Sequence, residues 1–506
     1  MLTSLQRGLR RLEAGFNVAF GAASNPWYQL GALSFFCFWL ATVTGIYLFI
    51  FFDTSILGAY ASVQRITDVQ WYLGGVMRSL HRYASGAMVI TVTLHLAREF
   101  VLGRFRHVRA FSWISGVPLL WLMFAAGIGG YWLVWDGLAQ YIAVATSEWI
   151  GWLPVFGDGL ARNFLTNSAL SDRFFSLLVF LHIAIPLFLL LGMFIHIKRI
   201  KLARSTPARG LMVGTLTALV VLALVRPATS MAPADLSFTV ARVDLDWLFL
   251  NVYPLLDTLG PGAVWGLLGG ITVGLVVLPW VWPARAAERA LELPAVVDPA
   301  NCNGCSWCFK DCPYEAITMI PHSYKPDLRQ AVVDPALCTA CGICEGSCPS
   351  ATPFRNVEEL ISGIEMPGYP LDRLRQQTAQ ALACATRDAV FVFGCDRGLD
   401  ITALAAPDLK VVSLPCIGML PPSFADYVAR QANVSGVMVT GCHPAECFFR
   451  KGSEWTQQRF SGERMPHLRT SAGKNKVRIH WAGPHERRAL KAAIESFREE
   501  LQAVSA

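Results

Sequence analysis

Two apolar stretches, SLHRYASGAMVITVTLHL at 79–96 and LHIAIPLFLLLGMFIHI at 181–197, are each long enough to cross a bilayer. Each carries two histidines fourteen residues apart: His81 and His95, then His182 and His196. At 3.6 residues per turn, fourteen residues are nearly four whole turns, so the imidazoles of one helix face the same way about 21 Å apart. A single histidine in lipid is as well explained by packing or by polar glue between helices, but four at one spacing are not, because ionisable groups there are costly unless satisfied. Neutral imidazole is a good axial ligand for haem iron, and two trans imidazoles give the six-coordinate iron suited to electron transfer. The spacing predicts a helix pair that clamps two haems, one near each membrane face.

Glycines repeat the interval. Gly31 and Gly45 lie on the first apolar segment, and Gly116 and Gly130 on the third. A residue without a side chain lets a flat macrocycle lie against backbone.

Residues from about 1 to 200 resemble cytochrome b of the quinol-oxidising bc-type complexes, most of all the shorter plastid version. The resemblance is carried by RSLHRYASGAM, by the ISG and IGG that hold Gly116 and Gly130, by LVWDG at 133–137 and by GWLPVFG at 151–157. It implies that His81 pairs with His182 on one haem and His95 with His196 on the other, with Arg82 beside a propionate. The family's outer quinol-oxidising site is lined by Pro-Glu-Trp-Tyr, and the aligned residues here are Leu245, Asp246, Trp247 and Leu248. The acid is retained one methylene shorter, while the proline and tyrosine are gone. Asp246 is thus the candidate quinone-site acid; read from the residues alone, a solvated loop acid explains it equally well. The plastid relatives tether a further covalent haem through a cysteine whose place is taken here by Gln29, and Cys37 reads as a buried apolar thiol. Two b haems and no third are expected.

The chain is 54% hydrophobic and 16% charged over 506 residues, too apolar for a soluble protein and too long for one domain. Apolar residues concentrate before 283, whereas thirteen of the fourteen cysteines follow residue 300. Six spans are expected, at about 29–52, 74–100, 112–134, 174–198, 211–226 and 262–282. The N-terminal twenty residues read as an interfacial amphipathic helix rather than a cleavable signal.

The net charge of +7 does not point to nucleic acid, because the basic residues gather at span ends. Arg7, Arg10, Arg11, Arg98, Arg104, Arg106, Arg109, Lys198, Arg199, Lys201, Arg204, Arg209, Arg285 and Arg289 share one side. Asp53, Asp68, Glu148, Asp158 and Asp172 lie on the other. The positive-inside rule makes this a multi-pass inner-membrane protein with its N-terminus and cysteine-rich half in the cytoplasm, where thiols stay reduced.

After a linker at 283–294 come CNGCSWCFKDCP and CTACGICEGSCP. Each is C-x2-C-x2-C-x3-C-P, the two-cluster ferredoxin run whose fourth cysteine serves the other cluster. One 4Fe-4S cluster is expected on Cys302, Cys305, Cys308 and Cys348, and the other on Cys338, Cys341, Cys344 and Cys312. Zinc also takes C-x2-C pairs, but two intact copies with the trailing proline argue against it. This ferredoxin module spans 295–356, and a helical connector follows to 386.

From 387 the pattern turns α/β. AVFVFGC, KVVSLPC and GVMVTGC end in Cys395, Cys416 and Cys442, and the carboxyl ends of parallel strands lie along one edge, where ligands gather. With Cys447 these make four ligands, although small thiols at strand ends are also ordinary core residues. KVRIHWA and the helix after Pro484 complete a small doubly wound domain. Residues 389–460 resemble the delta subunit of methyl-viologen-reducing hydrogenase, through GCHPAECFFRKG and the Pro-Cys ahead of Pro421-Pro422. That resemblance implies a 2Fe-2S cluster and a flavoprotein partner of the heterodisulfide-reductase type. The family's extra cysteines near the first strand end are replaced by Gly394 and Gly398. His443 is either an iron ligand or a hydrogen-bond partner, and Cys384 has no expected cluster role.

The fold class expected is therefore multi-domain: an α-helical membrane bundle (1–282), an α+β ferredoxin module and a small α/β parallel-sheet domain. No G-x-G-x-x-G opens a helix, so flavin or nicotinamide chemistry belongs to another subunit. The reading is a membrane electron-transfer subunit of a quinone oxidoreductase, fed by a cytoplasmic flavoprotein or an NAD(P)H- or formate-type dehydrogenase. Two others stay open: quinol oxidation driving electrons to a low-potential cytoplasmic acceptor, and a non-catalytic redox sensor or anchor. A homodimer through the cytochrome b half is compatible with each.

Overall fold

The computed structural model describes residues 2–106, 109–155, 172–198, 203–238, 240, 242–282, 292–355, 357–469 and 474–505. Most of the expected linker lies outside these residues, as do Asp158, Arg199, Lys201, Arg285 and Arg289. The chain forms two compact units, one of Gln29–Lys198 with Arg204–Pro283, the other of Met1–Tyr28, Arg199–Ala203 and Ala284–Ala506.

The helical unit holds α2 (Leu30–Phe51), α3 (Gly58–Gln64), α4 (Val76–Val101), α5 (Ala110–Val134), α6 (Gly137–Gly151), α7 (Asp172–Lys198), α8 (Arg209–Val225), α9 (Val252–Leu259) and α10 (Pro261–Val281). Starts and stops follow local chemistry. Asp136 of LVWDG caps α6 through Ala139 N and also accepts from Met231 N, while α10 opens on Pro261 after Gly260. α2 packs on α4, and α5 on α7. Gln29 is buried and accepts from Ala208 N at 2.6 Å. Cys37 is buried in a core with Phe38, Met88 and Met123.

Among the described residues four helical segments are long and apolar enough to cross a membrane: Pro26–Phe51, Ala110–Val134, Phe175–Ile197 and Pro261–Val281. Six were expected. The other two segments are helical but differ in kind: α4 is 26 residues long yet carries Arg78, Arg82, Arg98 and Glu99 besides its histidines, and α8 is apolar but has 17 residues.

In the second unit β1 (Val296–Val297) pairs antiparallel with β4 (Ile364–Glu365), and β2 (Ile317–Pro321) with β3 (Arg329–Val333). Part of the expected connector thus closes the ferredoxin module. Its short helices α11 (Trp307–Lys310) and α12 (Ile343–Gly346) each start after a residue with left-handed backbone, Ser306 and Gly342. Next come α13 (Leu371–Ala383), β5 (Ala389–Cys395), β6 (Leu409–Leu414), α14 (Pro422–Ala429), β7 (Val434–Val439), α15 (Gly452–Ser461), β8 (Val477–Ile479) and α16 (Arg487–Ser505). The sheet runs β6-β5-β7-β8, all parallel. Period-two alternation along β5 sends Phe391 and Phe393 toward α13 and α14, and Val390 and Val392 toward Leu490, Ile494 and Phe497 of α16. Each buried phenylalanine stabilises this layering by about 1.5–3 kcal/mol.

The amphipathic helix α1 (Leu2–Phe20) belongs to this unit, not to the helical one. Arg10 pairs with Glu446 and Glu13, and Asn17 donates to Glu486 at 3.0 Å. Leu5, Leu12 and Phe20 remain exposed on a neighbouring stripe. The helix therefore keeps an apolar face suited to a membrane surface while its polar flank is engaged by the sheet domain.

Candidate redox centres

In the helical unit each glycine of the fourteen-residue pairs faces one histidine. A Cβ built on Gly45 would lie 3.0 Å from His81 Cε1, on Gly31 3.6 Å from His95, on Gly116 3.3 Å from His196 and on Gly130 2.9 Å from His182. The glycines of α2 make room for the imidazoles of α4, and those of α5 for the imidazoles of α7. The rings of His81 and His182 stand 6.2 Å apart between centroids, with planes inclined at 67°. An imidazole nitrogen binds a first-row metal such as zinc at about 2.0–2.1 Å, so two trans rings on one metal place their centroids about 6 Å apart. The spacing fits one haem iron between them.

Backbone sets the tautomer. His81 Nδ1 donates to Ala41 O at 2.8 Å and His182 Nδ1 to Ala126 O at 3.0 Å. A carbonyl only accepts, so each Nδ1 carries the proton and each Nε2 offers its lone pair to a metal. His196 Nδ1 meets Ser115 Oγ at 3.0 Å.

Asp246 is not a solvated loop acid. Its carboxylate accepts from Tyr131 OH and from Leu248 N at 2.8 Å, and Arg82 Nη2 lies 3.9 Å away. Arg82 also sits 5.8 Å from the Tyr131 ring centroid. Acid, phenol and guanidinium make a connected polar group able to hold a proton.

The ferredoxin cysteines ring two cavities. One is lined by Cys312, Cys338, Cys341 and Cys344; the other by Cys302, Cys305, Cys308 and Cys348. In each the fourth thiol comes from the opposite repeat. The loops are conformational copies: Gly304 and Ala340, then Ser306 and Gly342, all have positive φ. Glycine suits that geometry, and at 304 it is required, since a Cβ would meet Arg329 O at 2.4 Å. Burial and then the neighbouring thiols Cys348, Cys305 and Cys302 push Cys308 up to about 12; burial pushes Cys341 up to about 12 as well. Crowded, desolvated thiols of this kind become ligands by exchanging protons for metal. Ala316 N donates to Cys312 Sγ at 3.3 Å, the type of contact that tunes a cluster.

Cys395, Cys416, Cys442 and Cys447 meet at the carboxyl edge of the parallel sheet, and all four are buried. Cys395 ends β5 and Cys442 follows β7, adjacent strands whose onward connections run in opposite directions, the crevice where ligands of open sheets collect. Their sulfurs are 3.7 Å apart. A tetrahedral ion with metal–sulfur bonds of about 2.3 Å holds two sulfurs about 3.8 Å apart. Cys447 takes hydrogen bonds from Cys416 and Cys442 and is held well below the usual thiol range. Gly452 is the floor of this site: a Cβ there would lie 2.5 Å from Cys416 Sγ and 3.4 Å from Cys447 Sγ. His443 Nε2 is engaged by Glu486 Oε2 at 2.6 Å, a hydrogen-bond role. Burial alone would raise Glu486, but the bonds from His443 and Gly483 N win and hold it at about 2. Cys384 is exposed, apart from these sets. Among the described residues no three His, Cys, Asp or Glu side chains converge tightly enough for a single metal ion.

Several contributors escape a reading of the chain alone. Tyr131, directly after Gly130, had a positional signal. Ser115, directly before Gly116, had the same one. Gly452 closes the FFRKG run after Cys447 and could have been suspected. Asp311 and Arg459, which join the ferredoxin to the sheet domain, had none.

Comparison with known proteins follows the same division. The family model for cytochrome b/b6 matches residues 18–203, that for the 4Fe-4S dicluster domain 301–352, and that for the methyl-viologen-reducing hydrogenase delta subunit 400–505. Cytochrome b6 of Heliobacterium modesticaldum is 32% identical over 178 residues, 34% of this chain and 83% of the relative. That of Heliomicrobium gestii is 31% identical over the same length and shares. A solved hyperthermophilic respiratory complex III chain aligns with a TM-score of 0.42 and 18% identity, covering 50% of this chain and 75% of that one. Through its N-terminal part the chain belongs to the cytochrome b family, and it continues into a two-cluster ferredoxin domain and a hydrogenase delta-subunit-like domain.

Proposed function

We propose that the protein is the membrane electron-transfer subunit of a quinone oxidoreductase, passing electrons from a cytoplasmic flavoprotein or dehydrogenase to quinone. Bound haem and iron–sulfur clusters supply the one-electron chemistry. His81 with His182, and His95 with His196, hold the two b haems. The two ferredoxin sets hold 4Fe-4S clusters, and Cys395, Cys416, Cys442 and Cys447 hold a 2Fe-2S cluster in two sulfur pairs. The helical half crosses the membrane six times, α4 being carried by its cofactors and α8 by its apolar composition, with the iron–sulfur half on the cytoplasmic side. The observation that carries the reading is the facing pair His81 and His182, 6.2 Å apart with each Nδ1 tied to a carbonyl.

A second reading, quinol oxidation with electrons driven inward, is favoured by the Asp246, Tyr131 and Arg82 group, which can receive a proton as a quinol is oxidised. Stopped-flow spectroscopy of the purified chain separates the two. Rapid haem reduction by a soluble donor, reversed by added quinone, is expected. Haem reduction by quinol alone, abolished in Asp246→Asn, selects the second reading. Intact centres that respond to neither overturn both.

A further inference from the structure

Arg459 of α15 is the largest fully buried side chain among the described residues. Its Nη1 donates to Gly418 O at 2.8 Å, and its Nη2 to Asp311 Oδ2 at 2.5 Å and to Ile343 O at 3.2 Å. Each partner adjoins a cluster cysteine. Asp311 precedes Cys312, Ile343 lies between Cys341 and Cys344, and Gly418 is two residues past Cys416. One guanidinium therefore ties together three ligand loops that belong to two different modules.

The surfaces it joins are in close contact, backbone against backbone at Gly346 and Gly418. A Cβ on Gly346 would lie 2.2 Å from Gly418 O, one on Gly342 2.9 Å from Met419, and one on Gly418 2.8 Å from Ile343. Cys341, Ile343, Cys416, Phe449 and Trp455 form one buried cluster. Neither ferredoxin cavity is lined by a residue of the delta-like module; it is the contacts of Cys341, Gly342 and Ile343 with Cys416, Gly418 and Met419 that bring the Cys312, Cys338, Cys341 and Cys344 set, and not the Cys302 set, against that module. Charge adds to position. Asp311 is shared between Arg459 and Arg464, whose Nη2 lies 2.6 Å from Oδ1, so two cations face one anion. A buried cation is expensive unless compensated. The excess positive charge lies where two thiolate-ligated centres adjoin, and it favours their reduced states.

Resting on the function proposed above, we infer that Arg459 is a positioning residue for electron exchange between the delta-like centre and the ferredoxin centre on Cys312, Cys338, Cys341 and Cys344. One electron leaves the first, which is oxidised by one, and enters the second, which is reduced by one. The centre on Cys302, Cys305, Cys308 and Cys348 is then the far one, communicating with the delta-like centre only through its ferredoxin neighbour.

EPR-monitored redox titration of the full chain, purified anaerobically, tests this without donor or quinone. In the unmutated protein, reduction of the delta-like centre should split or broaden the signal of one 4Fe-4S cluster. Cys338→Ser should alter that split signal, and Cys305→Ser the other. Arg459→Met should weaken the splitting and lower the reduced-to-oxidised ratio of both adjoining centres roughly tenfold at fixed potential, about 59 mV for a one-electron couple. The Cys302 centre should keep its potential, and Arg459→Lys should recover part of the shift. If the split signal follows Cys305→Ser, the assignment is overturned even where Arg459→Met fails to assemble. If Arg459→Met keeps its iron and sulfide with every potential and splitting unchanged, the positioning role is overturned. Loss of all iron–sulfur signals from the unmutated chain would sink the function proposed above, and this inference with it.

Discussion

The helical unit and the delta-like module assemble their candidate ligands in opposite ways. In the helices the candidate ligands are found by counting fourteen residues along each of two segments, and tertiary structure then brings α4 to face α7 and sets a glycine opposite each imidazole. In the delta-like module four cysteines spread from 395 to 447 converge only because parallel strands end at one edge. A site built on helical period tolerates change in its loops and is vulnerable at a single facing backbone position. A site built on sheet topology depends on the turns after several strands at once.

The largest effect should come from the ligands. His182→Ala is expected to remove one of two b haems, lowering the haem absorbance per chain to about half while acid-labile sulfide stays constant. Cys442→Ser should do the converse, and loss of haem in that variant would break the independence of the two halves. Next in size is Gly452→Ala. With a Cβ 2.5 Å from Cys416 Sγ, the delta-like cluster should be lost from the EPR spectrum while both ferredoxin signals persist. An unchanged spectrum would remove Gly452 as the floor of the site.

The facing glycines sharpen the comparison further, because they predict a ranking. Gly130→Ala and Gly45→Ala, with approaches of 2.9 and 3.0 Å, should displace their imidazoles and shift the α-band or lower the occupancy of the haem between His81 and His182. Gly31→Ala, at 3.6 Å, should resemble the unmutated protein. Equal effects at all three positions would mean that the close approach does not govern the site.

The smallest effect concerns Glu486, whose carboxyl is held at about 2 against an ordinary value of 4.5. A depressed carboxylate contributes stability that is full above the unfolded value and is lost as pH falls toward the folded one. Glu486→Gln should therefore lower the melting temperature by an equal amount from pH 5 to 8. The gap should close as pH falls from 4.5 toward 2. Discounted for solvent screening at a partly exposed pair, the loss at neutral pH is about 1–2 kcal/mol.

What could be read in the chain follows the same line. His81, His95, His182 and His196 were legible because a helix converts sequence distance into direction. The crossed cysteine sets were legible because C-x2-C-x2-C wraps a cluster locally and the repeat supplies its partner. The pairing of Cys395 with Cys442, the hold of Tyr131 on Asp246, and the joining of Asp311 to Arg459 were not, since each depends on which elements become neighbours. Nor did the amphipathic pattern of α1 disclose its docking, which depends on Glu446 and Glu486 arriving opposite Arg10 and Asn17. α4 shows the limit of hydropathy itself. The histidines and arginines that make it the candidate cofactor helix are what set it apart from the four most apolar spans among the described residues.

The central claim is that one polypeptide holds haem in its helical half and iron–sulfur clusters in its cysteine-rich half. Haem and acid-labile sulfide measured together on a single anaerobic preparation of the full chain test it most directly. The account predicts b-type absorbance and sulfide in fixed ratio to protein. A preparation with its thiols intact that shows no b-type absorbance, or no sulfide after anaerobic reconstitution, would contradict it.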